Sequence, residues 1–331
     1  MTRSQPTHSS PPETVLITGA TGYIGSRLLR RLEEGARRVR CLVRRPDALS
    51  SMESTDVEVA EGDLLRPETL PAAMQGVSTA YYLVHSMASG GDFELEDRKA
   101  AINFAEAALA AGLQRIVYLG GLGNGRPLSG HLESRREVGE ILRKSGVPTI
   151  EFRASIIIGS GSLSFEMIRA LVEKLPVMLT PKWVHTRCQP IAVDDVLDYM
   201  VNALDLPSTV SGHGQVFEIG GPDRASYRDL MSEYARQRGL RRMLISVPLL
   251  SPRLSSLWLN LFTPVYARIG RKLVESLRNE TVVVDESALE AFRIRPRSMA
   301  EAVQRALDNE EMDDPKATAR SDTDKASETT S

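Results

Sequence analysis

The sequence predicts an α/β fold, a doubly wound parallel sheet with a smaller C-terminal subdomain, and two observations predict it. Short β-branched runs alternate with stretches of helical period: "TVLIT", "RVRCLV", "VEVAEGD", "TAYYLV", "RIVYLGG" and "PTIEFRASIII" are separated by segments such as "IGSRLLRRLEEG" and "RKAAINFAEAALAAG". Alternation of that kind builds a parallel sheet with helices on both faces. The other observation is size: 331 residues, 42% hydrophobic and 25% charged, suffice to bury a large core.

Residues 1–12 are polar and proline-rich with no apolar signal core and read as a flexible lead. After the first strand comes an amphipathic helix in which Ile24, Leu28 and Leu32 recur every fourth residue beside Leu29. Arg27, Arg30, Arg31 and Glu34 take its other faces, and Gly35 closes it. The strand and helix alternation continues to residue 160, giving a first domain over 13–160. Beyond Gly159 the pattern loosens into "GSLSFEMIRALVEKL", the proline-flanked "TPKWVHTRCQPIAV", a helix from about Asp194, and "GQVFEIGGPDRASYRDLM". There Ser226 followed by Asp229 is a capping signal. Residues 161–307 read as a substrate-side subdomain with elements returning to the sheet, and 308–331 as a disordered acidic tail.

A net charge of −2 argues against a dominant nucleic-acid surface. Cys41 and Cys188 have no metal or redox spacing, so no metal site and a reducing, cytoplasmic setting are expected. No apolar run is long enough to span a bilayer, which leaves only peripheral membrane contact. The oligomeric state has no signature in the chain.

"VLITGATGYIG" sets Gly19, Gly22 and Gly25 between a strand and a helix. Glycine serves where the chain turns sharply, where backbone approaches a pyrophosphate, and where helix packs close to strand. A phosphate then sits at the helix N-terminus. Dinucleotide binding by this loop, through Gly19, Thr21, Gly22, Tyr23, Ile24 and Gly25, is the expectation. The second strand ends near Val43, where a carboxylate would hold the 2'-hydroxyl of NAD; Arg44 and Arg45 stand there instead. Paired guanidiniums suit a 2'-phosphate, so NADP(H) is favoured over NAD(H). Asp63 and Leu64 follow the third strand at the adenine side, Asp63 serving equally well as a helix cap. Leu83, Val84 and His85 close the fourth strand, at the edge where ligands bind open α/β sheets.

"GHLESRREVGEIL" opens a helix with His131 and Arg135 four positions apart on one face, a pairing that helix stability does not ask for. With "TGATGYIG", "GDLL", "YYLVHSM", Asn103 in "AAINFAEAA", "RIVYLGG", "SIIIGSG" and "PIAVDDV" in this order, the chain resembles the short-chain dehydrogenase/reductase superfamily of NAD(P)-binding Rossmann proteins. Within it, the likeness is to the atypical and extended branch that includes NmrA-like proteins and the nucleotide-binding accessory subunit of respiratory complex I. The resemblance covers about residues 13–306.

That superfamily carries a Ser or Thr at the end of the fifth strand and Tyr-x-x-x-Lys on the next helix. Here Gly120 and Gly121 hold the strand end, His131 replaces the tyrosine, Ser134 matches an accompanying serine, and Arg135 replaces the lysine. Imidazole, with an ordinary pKa of about 6.5, does acid work near neutrality without lysine's help. Arginine still holds ribose hydroxyls but does not readily exchange protons. The resemblance thus implies either an acid rebuilt on His131 or a cofactor-side histidine without chemistry. Gly121, Arg153, Trp183 and Gln189, with His185 and Arg187 nearby, come from the part that shapes substrate pockets in the family. In "PRLSSLWLNLFTPVYARIGRKL", apolar residues at helical spacing precede Arg268, Arg271 and Lys272; this 254–272 stretch reads as core, lid or membrane-facing helix. The functional expectation is an NADP(H)-dependent reductase of a small apolar carbonyl or quinone-like substrate. The alternative is a non-catalytic NAD(P)H-binding sensor or assembly subunit.

Overall fold

The computed structural model describes residues 13–49, 57–85, 93–125, 127–207, 214–246 and 277–313. The 254–272 stretch lies outside them. In chain order, β1 (Thr14–Thr18) leads to α1 (Tyr23–Glu34), β2 (Arg38–Val43), β3 (Glu58–Glu61), α2 (Leu70–Met74) and β4 (Val77–Tyr82). Then come α3 (Phe93–Ala110), β5 (Arg115–Gly121), α4 (Gly130–Arg143), β6 (Thr149–Ala154), β7 (Ile157–Ile158) and α5 (Leu163–Lys174). The C-terminal part adds β8 (Val177–Thr180), β9 (Arg187–Cys188), β10 (Ile191–Ala192), α6 (Val193–Asn202) and β11 (Gln215–Ile219). It continues with β12 (Ala225–Ser226), α7 (Tyr227–Gln237), β13 (Met243–Ser246), α8 (Ser287–Phe292) and α9 (Met299–Asp313).

Seven parallel strands form one sheet in the order β11-β6-β5-β4-β1-β2-β3, a Rossmann-like α/β architecture. The order of travel reverses at β1, so a crevice opens where β1 and β4 end side by side. Every residue of β1 is buried, as expected of a strand covered on both faces. Val15 and Ile17 pack with Leu28, Leu29 and Leu32 of α1 and with α6, while Leu16 faces the opposite layer with Met74, Phe104 and Leu142. Each such aliphatic side chain contributes about 1.5–3 kcal/mol by leaving water. A further core joins α5, α7 and α9 through Phe165, Leu171, Tyr234 and Val303. From the later half, β11 pairs in parallel with β6 and completes the main sheet. The Ser226 and Asp229 signal forms a full capping box at the start of α7. Helix α9 reaches Asp313, so the tail expected from residue 308 starts as helix. No helix among the described residues is long and apolar enough to cross a membrane.

Gly35 ends α1, but the left-handed step falls one residue later, on Ala36 at φ +52°. An alanine there costs about 1–2 kcal/mol of backbone strain, against the entropy of a freer glycine, about 0.5–1 kcal/mol. Ala36→Gly is therefore expected to stabilise the fold by about 0.5 kcal/mol; an unchanged or lower urea midpoint would contradict this.

Candidate functional site

Gly19 adopts φ +73°, and a Cβ there would lie 2.8 Å from the carbonyl oxygen of Leu83. A Cβ on Gly25 would come within 2.1 Å of the Gly19 carbonyl oxygen, because α1 passes that close to the turn. The Gly22 amide donates to Gly19 O at 2.9 Å, and Gly22 caps α1 with no side chain in the way. This leaves the first amides of α1 open at the sheet's switch point. Such a cradle fits a dinucleotide pyrophosphate and leaves no room for a larger residue at Gly19 or Gly25.

The loop opens onto a cavity of about 410 Å³, within the usual size of a small-molecule site. Gly22, Tyr23, Ile24 and Gly25 line it on one side, and Leu83, Val84 and His85 from the end of β4 continue that wall. Gly121, His131 and Arg135 form the next wall. The sheet thus brings most of the expected cofactor residues and both family-motif replacements to one space. Thr21 lies exposed on the turn, and Arg44 and Arg45 are exposed just past β2, at the adenosine end and outside the cavity.

Other expected residues are occupied elsewhere. Asp63 Oδ1 accepts from Leu65 N at 2.9 Å, and the Asp63 amide donates to Thr69 Oγ1 at 3.0 Å, so this side chain organises its own turn. Leu64 is buried in the core, its carbonyl accepting from Asn103 Nδ2 at 2.7 Å. Arg153 was expected at the substrate pocket; instead its Nε donates to the buried Glu151 carboxylate at 2.7 Å, with Arg143 donating to the other oxygen at 2.9 Å. A charge so deeply desolvated needs both partners. Gln189 bridges Gly221 O (2.7 Å) and the Val283 amide (3.0 Å) and does not reach the cavity. Trp183 is buried edge-on against Tyr227, one layer behind the cavity wall.

A Cβ on Gly121 would meet the Leu132 side chain at 2.9 Å, so Leu132 of α4 crowds the end of β5, while Arg135 would stand at ordinary contact distance, 3.4 Å. Arg135 donates to Leu119 O, and its guanidinium stands 5.9 Å from the centre of the Tyr118 ring. Ser134 donates to the buried Asp97 at 3.2 Å and ties α4 to α3.

His131 begins α4 after a capped turn, Ser129 Oγ accepting from Leu132 N. Its ring lies edge-on to His85 with centroids 6.3 Å apart. Desolvation by the surrounding protein, then the Arg135 charge, lower the pKa of His85, and a backbone hydrogen bond opposes them. Burial pushes the Tyr118 phenol up to about 12, and its hydroxyl donates to Arg135 O at 3.0 Å. Among the cavity residues that sequence alone does not single out are Ser155, Tyr227 and Thr281. Ser155 follows the last residue of β6, so the strand-end rule applied to Leu83 and His85 would have found it. Thr281 has no local signal.

Residues 19–148 match an NAD(P)H-binding family. The chain is 28% identical over 212 residues to the photosystem II assembly factor Ycf39 of Trieres chinensis, covering 63% of this chain and 64% of that one, just under two thirds of its length. It is 29% identical over 239 residues to a ceramide reductase of Caulobacter vibrioides, covering 71% and 73%. In fold it is similar to the Citrobacter sp. triphenylmethane reductase complexed with NADP(H), with TM-score 0.69, 17% identity, and 88% and 99% of the chains covered. The NADPH-dependent quinone oxidoreductase of Escherichia coli complexed with NADPH gives TM-score 0.68, 20% identity, and coverage of 88% and 99%. Residues 19–148 thus form an NAD(P)H-binding domain, in a chain whose fold is that of NAD(P)-binding Rossmann proteins.

Proposed function

We propose that this protein is an NADP(H)-dependent reductase of a small, apolar carbonyl or quinone-like substrate, with His131 as the proton donor. The observation that carries it is His131 on the wall of a largely apolar cavity continuous with the glycine cradle. Bound at the cradle, the nicotinamide cofactor supplies a hydride to the substrate's carbonyl carbon. His131 gives its proton to the oxygen and is reprotonated from solvent. Arg135, tied to Leu119 O, keeps a fixed cation on this wall. The reductases among the relatives and fold neighbours support the reading.

The preference for NADP(H) rests on Arg44 and Arg45, both exposed at the end of β2. NADPH is expected to bind more tightly than NADH. Losing one charge-assisted phosphate contact in Arg44→Asp should cost on the order of 1.5–3 kcal/mol and narrow that gap. Equal affinities for the two nucleotides in a fluorescence titration would refute it.

A second reading, a non-catalytic nucleotide-binding subunit, draws on the assembly-factor relative and on the engagement of Arg135 with backbone. It expects no hydride transfer to any carbonyl or quinone. It also expects stabilisation of about 2.7 kcal/mol by nucleotide at a hundred times its dissociation constant. Following NADPH oxidation with a panel of carbonyls and quinones, alongside thermal shifts with nucleotide, separates the two.

A further inference from the structure

Across the cavity from the glycine cradle, two hydroxyls form a hydrogen-bonded pair. Ser155 Oγ and Thr281 Oγ1 stand 2.6 Å apart. Both residues line the cavity. Thr281 is held there by its backbone: its amide donates to Arg187 O at 3.0 Å, and its carbonyl accepts from Gln189 N at 2.9 Å. The segment it belongs to is clamped again by Asn124, which donates from its amide to Glu280 O at 2.8 Å and from its side chain to Val282 O at 2.5 Å.

Each hydroxyl carries one proton to donate. The bond between them uses one of the two, so one donor is left over. Thr281 is buried, whereas Ser155 is partly open at the end of β6. A spare proton left on the buried hydroxyl would be costly, so Thr281 donates to Ser155 and the Ser155 proton faces the cavity. Donation from Thr281 polarises the Ser155 hydroxyl and strengthens the bond it makes.

The position fits a substrate rather than the nucleotide's phosphates. The adenosine side of the site is marked by the end of β2 and the pyrophosphate turn lies between β1 and α1. The end of β6 is two strands beyond β4 on the opposite side. Ile156, Ile157, Leu163 and Leu277 surround the hydroxyls. The cation on the cavity wall, Arg135, is turned to Leu119 O. A neutral, acceptor-only oxygen on an apolar body meets this surface; a carboxylate or phosphate finds no charge to pair with there.

Building on the reductase reading above, we propose that the Thr281 and Ser155 hydroxyls are the docking point for a carbonyl oxygen of the substrate, with Ser155 Oγ as the donor that touches it. The test is equilibrium binding of duroquinone and of durene, its hydrocarbon counterpart without oxygens, to protein saturated with NADP+. Wild type is expected to prefer the quinone by about tenfold, the worth of one hydrogen bond whose donor is otherwise unpaired. Ser155→Ala should abolish that preference and Thr281→Val should reduce it, both with NADP+ affinity unchanged. Wild type showing no preference, or Ser155→Ala retaining it, would overturn the proposal. NADPH oxidation by duroquinone is read separately: binding preference without oxidation would sink the reductase reading and leave the oxygen site standing.

Discussion

His131→Ala is expected to lower NADPH-dependent reduction of a quinone or carbonyl acceptor by about 10² to 10⁴, the usual worth of a positioned general acid. Tyr118, Tyr227 and His85 of the same cavity are poor substitutes for it. The Tyr118 phenol is held up at about 12 by burial and spends its proton on Arg135 O. The Tyr227 phenol is raised further by burial. His85 has its pKa lowered by desolvation and then by Arg135, so near neutrality it is a neutral imidazole without an acidic proton to give. An acid must be protonated to act, so wild-type turnover should fall as pH rises through the titration of His131, and the variant should lose that limb of the profile. NADPH affinity should barely change, because the proposed phosphate site is the cradle at α1, away from this helix. If His131→Ala matches wild type across the pH range while a substrate turns over, His131 is not the acid.

Gly25→Ala is expected to abolish useful nucleotide binding. The added Cβ would lie 2.1 Å from Gly19 O and 2.8 Å from its carbonyl carbon, both backbone atoms that no rotamer change moves aside. Either α1 moves away from β1 or the turn opens, and in both cases the amides at the start of α1 leave the phosphate. Two charge-assisted hydrogen bonds at about 1.5 kcal/mol each amount to a weakening on the order of a hundredfold. Overpacking between α1 and the sheet should cost a further 1–3 kcal/mol or so of stability. Nucleotide titration by fluorescence and urea unfolding read the two effects independently. A variant that binds NADPH as wild type does would show that this loop does not hold the phosphates.

Much of the architecture was legible because its causes are local. Successive side chains of β1 alternate between two buried layers, Leu28, Leu29 and Leu32 recur on one stripe of α1, and each glycine of the loop answers to backbone within a few residues or to the adjoining strand. Those patterns lie inside a dozen consecutive residues, so the chain by itself determined the sheet, the crossover helices and the nucleotide loop. The position of His131 and Arg135 on one helix face was legible for the same reason.

What only the tertiary structure decided are the partners of polar side chains. The family resemblance implied pocket roles for Arg153 and Gln189. Glu151, two residues away on the same face of β6, claims the arginine, and Gly221 with Val283 claims the glutamine. Desolvation makes an unpaired buried charge or amide so costly that such residues go to whichever partner the packing supplies. The Arg153 partner was at strand spacing, but the partners of Gln189 are not encoded at any fixed spacing. Ser155 and Thr281 stand 126 positions apart and become 2.6 Å neighbours because Thr281 is stitched to Arg187 and Gln189. A hydroxyl pair with one proton to spare is a property of that closure, and no stretch of sequence contains it.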